Sequence, residues 1–136
     1  MNSTDAAAMI RDFESGVYPK ENWTHQAHFI MAFWYCFHQP IPGAIRSIKN
    51  GIKHYNICVG GQNTDDAGYH ETITVFFTRQ VIQFLSQSKD LDDIDQLLED
   101  LLAQPFLKKD FMLNYYSKER LMGRDARKRW VEPDIR

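Results

Sequence analysis

The sequence predicts an all-α fold, a single-domain bundle of five or six helices packed around a central apolar one. Three observations predict it. Apolar residues recur at three- and four-residue spacing in successive segments. Capping residues and Gly or Pro stops bracket those segments. One stretch, Phe29 to Phe37, is apolar all the way round, which suits a helix enclosed by others. At 136 residues the chain matches the commonest domain size, so 1–136 reads as one helical domain.

The first helix has Ser3 or Thr4 as its cap, Asp5 in its first turn, Met9, Ile10 and Phe13 on one side and Gly16 as its stop. After a loop around Pro19, Asn22 or Thr24 caps a second helix that runs to about His38, where Gln39, Pro40, Ile41 and Pro42 turn the chain. A third helix begins near Pro42. It sets Ile41, Ala44, Ile45, Ile48, Ile52, Tyr55 and Val59 on one stripe before Gly60 and Gly61.

Tyr69 to Leu85 alternates well enough to pass for a strand, with Tyr69, Ile73, Val75 and Phe77 against His70, Thr72, Thr74 and Thr78. Helical spacing of Tyr69, Ile73, Phe76, Phe77, Val81, Phe84 and Leu85 continues past strand length without a turn signal, so a helix is predicted. Asp90 caps the next, with Leu91, Ile94, Leu97, Leu98, Leu101 and Leu102 on one face and acids elsewhere. From Phe106 the chain is aromatic and basic, and Ser117 caps one more short helix.

A net charge of −2 supplies no field for phosphate backbones or anionic membranes, so nucleic acid is not an expected partner. The longest apolar run falls far short of the roughly 20 residues that span a bilayer, and the N-terminus lacks the basic and apolar regions of a signal peptide. Cys36 and Cys58 sit in apolar stretches without metal-ligand spacing and read as buried free thiols in a reducing cytoplasm. The expectation is a cytoplasmic protein acting on a small molecule, with homo-oligomerisation left open.

The chemistry concentrates on histidines. His25 and His28 in WTHQAH are three apart, neighbours on a helix, so both imidazoles can face one ion. Their place in the first turn disfavours imidazolium, and a metal needs the neutral ring. His70 falls in line with Phe77 and Val81 and is expected to point inward as a third ligand, with Glu71 as general base or support to a ligand. Three protein ligands leave room for water or substrate, the pattern of catalytic Zn sites, while a His, His and carboxylate set would suit non-haem Fe. Hydrolase and oxidoreductase chemistry both follow from such a divalent metal. A metal-free polar cluster or plain structural hydrogen bonding competes with this reading, and His38 and His54 are assigned structural roles.

Tyr55 and Tyr69 are candidate substrate-binding groups in a pocket lined by Tyr35 and Phe77 as well, although aromatics at helical spacing more often build core. Arg120, beside Tyr115 and Tyr116, is the candidate clamp for a carboxylate or phosphate. Otherwise the basic side of Arg120, Arg124 and Arg127 pairs with the acids of Asp92 to Asp100. The loop GGQNTDDAG lacks the Lys of a phosphate loop and the closing acid of a calcium loop, so its polar residues read as caps and first-turn acids for the following helix.

Taken together, WTHQAH, NTDDAGYHETIT, YSKERL and WVEPD resemble segments shared by a group of small, uncharacterised bacterial proteins. The resemblance covers most of the chain and implies a bacterial, single-domain relative. It brings no reaction and no functional residue with it. In size and ligand type the predicted centre is similar to that of the DinB-like helical bundles, by analogy alone. The competing expectation, from a different class, is a non-catalytic helical small-molecule-binding or protein-interaction domain with structural histidines.

Overall fold

The computed structural model describes residues 1–136, which form seven α-helices, three single 3-10 turns and no strand. The first helix, α1 (Ser3–Glu14), starts at a reciprocal cap. Asn2 Oδ1 accepts from the Asp5 N–H at 2.9 Å, and the Asp5 carboxylate accepts from the Asn2 N–H at 3.3 Å. Asn2, one residue before the expected Ser3, therefore satisfies donors that a helix start leaves open.

Thr24 caps α2 (His25–His38), its hydroxyl accepting from the Ala27 N–H at 3.3 Å, and the helix stops at Gln39 because Pro40 cannot continue it. Eight of its residues are buried, from Ala27 to Cys36, and they face every direction. It packs on α1, on α3 (Ile41–Cys58) and on α4 (Glu71–Gln87), as a helix apolar all round requires. In α3, Pro42 occupies the first turn, and Ala44, Ile48, Ile52 and Tyr55 form the buried stripe. Gly51 lets α1 approach: a Cβ there would lie 2.8 Å from Phe13 Cε2.

The helix α4 resolves the strand-or-helix ambiguity. Phe76, Phe77 and Val81 are buried at helical spacing, and Thr72, Thr74 and Thr78, which mimic strand alternation, are buried too. The following helix, α5 (Ile94–Leu102), starts later than predicted, because Asp93 rather than Asp90 supplies the cap, accepting from the Gln96 N–H at 3.1 Å. Asp90 instead accepts from the Asp92 N–H at 3.0 Å in the preceding turn, and Leu91 is left exposed. The tail divides at Gly123 into two short helices, α6 (Lys118–Leu121) and α7 (Arg124–Lys128), which raises the helix number above the five or six expected.

The main core joins α1 to α5 in a cluster of 22 buried residues. A smaller one, Phe76, Tyr116 and Leu121, lies under the tail, and Ile73 packs against both. No helix is long and apolar enough to cross a membrane. Both cysteines are free, but only Cys36 is buried. Burial pushes its thiol up to about 11. Cys58 is exposed, contrary to expectation, with Sγ 3.4 Å from His54 Nε2 one turn back on α3.

Candidate functional site

The first turn of α2 brings His25 and His28 together. His28 Nδ1–H donates to the Thr24 carbonyl at 2.8 Å, and the ring packs at a tilt against Trp23 with centroids 4.0 Å apart and meets Phe77 edge-on. Burial pushes its pKa down to about 4, the Thr24 carbonyl partly offsetting this and a charge on His25 adding to it. The His25 ring sits edge-on to Phe29, and its Nε2 is buried without a hydrogen-bond partner. Burial, then the positive Lys109, hold His25 below the ordinary histidine value, against an opposing effect of the Leu107 backbone.

His70 does not join them. The helix α4 begins at Glu71, so His70 is its N-cap: Nδ1 accepts from the Ile73 N–H at 3.1 Å, and Nε2–H donates to the Leu121 carbonyl at 2.7 Å. The ring points inward as the spacing predicts and is 7% exposed, but both nitrogens are engaged, Nδ1 in capping α4 and Nε2 in fastening α6 to it. Burial depresses its pKa, the Leu121 carbonyl resists, and Arg127 depresses it further. No three His, Cys, Asp or Glu side chains are grouped so as to hold a metal ion.

Glu71 also differs from its expected part. Its Oε2 lies 2.8 Å from Lys49 Nζ, and Oε1 accepts from the Tyr69 hydroxyl at 2.6 Å. Burial raises its pKa, but Lys49, Tyr69 and nearby Lys53 outweigh that and hold the carboxyl below its usual range. A general base near neutral pH needs the opposite shift. Tyr69 is itself occupied by this bond, with Lys53 Nζ 4.7 Å from its ring centroid.

The other predicted binding groups build structure. Tyr55 is fully buried and donates to the Tyr18 carbonyl at 2.6 Å, and Tyr35 donates to Glu14 at 2.6 Å. With Phe77 these rings fill the core rather than line a pocket. Arg120 Nε donates to the Glu132 carbonyl at 2.7 Å, Ser117 binds Asp134 through both its N–H and its hydroxyl, and the Thr72 hydroxyl donates to the Arg129 carbonyl at 2.8 Å while accepting from the Val131 N–H. The basic tail meets the 62–68 loop, not the α5 acids. Arg124 pairs with Asp66 at 2.8 Å, Lys128 with Asp65 at 3.6 Å, and Arg127 donates to the Gly68 carbonyl. Asp65 and Asp66 thus serve α7 rather than the start of α4.

One feature of different character lies between α3 and α4, a cleft of about 160 Å³ lined by Ile45, Lys49, Val75, Thr78, Arg79 and Ile82. Thr78 is 4% exposed, and its buried hydroxyl has no partner. Arg79 stacks on Trp130, 4.2 Å from the ring centroid, and forms no salt bridge or side-chain hydrogen bond within the chain. Lys49, Thr78 and Arg79 escaped sequence reasoning because each looks ordinary alone. The available signal was the spacing of four between Ile45 and Lys49, between Val75 and Arg79 and between Thr78 and Ile82. No family model, curated protein or solved structure matches the chain.

Proposed function

We propose that this protein is a helical small-molecule-binding domain whose histidines are structural, with its ligand seated in the cleft between α3 and α4. The observation that carries this reading is the coincidence there of an apolar-walled cavity and two cations, Lys49 and Arg79, of which Arg79 has no acidic partner. Ligand sites are concave and mostly apolar with a few convergent polar groups, and this cleft is a small example. Two free cysteines and the lack of a span long enough for a membrane support a cytoplasmic setting.

A screen of small fragments against ¹⁵N-labelled protein tests the proposal. Amide shifts centred on Val75, Thr78 and Arg79 are expected. Fragments that bind only elsewhere, or a complete absence of binders, would refute it.

One observation favours a second reading. His25 Nε2 is buried and unpartnered one turn from His28, whose Nδ1–H donor leaves Nε2 as a lone pair. Two such nitrogens suit two positions of a divalent metal, Zn or Fe, with water or substrate completing the coordination and supporting hydrolysis or oxidation. Elemental analysis of untagged protein separates the readings: one equivalent of metal, lost in a folded His25→Ala variant, supports the metalloenzyme.

A further inference from the structure

The ligand class follows from what lines the cleft, taking as its basis the small-molecule-binding reading above. We infer that the cleft binds a short-chain monocarboxylate, its anionic head held by Arg79 and Lys49 and its hydrocarbon body against Ile45, Val75 and Ile82.

Donor capacity sets the head. An ammonium has three N–H donors, and Lys49 gives one to Glu71. A guanidinium has five in a planar fork matched to a carboxylate, and Arg79 gives none to a protein acceptor. Its Cζ lies over the Trp130 ring, a contact that uses the π face and takes none of the N–H donors. Glu71 pairs with Lys49, which leaves Arg79 as the lining cation without an acidic partner, a partner that a ligand carboxylate would supply.

The remaining lining sets the body. Three of the six lining residues are branched aliphatics, which give a fully hydrated oxyanion such as phosphate nothing to bind. Bulk water takes about 30 Å³ per molecule. A cavity of about 160 Å³ therefore has room for a molecule the size of propionate or butyrate.

Titrating ¹⁵N-labelled protein at constant ionic strength with butyrate, butylamine, butanol and inorganic phosphate tests this. Butyrate is expected to bind most tightly, with shifts at Thr78 and Arg79, and Arg79→Gln, at an exposed position and with its fold verified from its amide spectrum, is expected to weaken it about tenfold or more, the loss of a charge-assisted pair. Equal binding of butylamine, butanol or phosphate, or unchanged butyrate affinity in Arg79→Gln, overturns the assignment. If all four compounds fail while other fragments still bind the cleft, the carboxylate class is wrong and the binding domain stands. If no fragment binds there, both fall.

Discussion

At Thr78 a buried hydroxyl goes without a hydrogen bond, which costs a protein about 1–3 kcal/mol relative to a satisfied group. Thr78→Val removes the polar atom and keeps the β-branched outline, so the ligand-free variant should be more stable by about 1 kcal/mol, read from urea midpoints. A loss of stability would mean that the hydroxyl has a partner in solution. The histidines show how a one-residue difference decides a role. Periodicity correctly turned His70 inward, yet with α4 beginning at Glu71 the same ring becomes a cap, and a cap spends Nδ1 on its own helix. Sequence spacing shows the direction of a side chain more readily than the boundary that commits its nitrogens. Glu71 was legible as a flank residue, but its Lys49 partner, 22 positions away on another helix, was not.

Among the elements, α2 was the most legible, because a segment apolar in every direction has only the centre to occupy. The close approach of α1 and α3 at Gly51 was not legible, since a glycine within a helix pattern reads only as a weak point. Gly51→Ala should nevertheless destabilise the protein by about 1–2 kcal/mol, because the gain in helix propensity is outweighed by displacing the Phe13 ring from a well-packed core. An unchanged or raised melting temperature would show that α1 and α3 separate freely. The 62–68 loop illustrates a different limit. Its polar residues look like caps, but Asn63 ties Tyr69, Asn56 and Lys53 together while Asp65 and Asp66 reach α7, contacts set by tertiary placement. The segments NTDDAGYHETIT, YSKERL and WVEPD meet in ties of the same kind: His70 to Leu121, Thr72 to Val131, Ser117 to Asp134 and Arg120 to Glu132.

For the whole molecule, three neutral rings make stability depend on pH. His25, His28 and His70 are all held below the ordinary value of 6.5, so as pH falls the unfolded chain takes up protons before the folded one does. Their contribution is complete above about 6.5 and is lost as pH drops toward the folded values, about 4 for His28, at up to about 1.4 kcal/mol per pH unit for each proton of difference. Glu71, depressed below its usual carboxylate value, adds a loss of the same sign at still lower pH as its pair with Lys49 breaks. Urea midpoints should therefore fall steadily from pH 7 to pH 4.5, and a flat profile would contradict the burial of these rings. The most direct test of the account as a whole is long-range ¹H–¹⁵N spectroscopy of the histidine rings in untagged protein, with and without one equivalent of Zn. The account predicts that His70 stays in its Nε2–H tautomer, capping α4, with no change on adding metal. Movement of the His25, His28 and His70 resonances together at one equivalent would contradict it, because it would mean that the three rings share one ion.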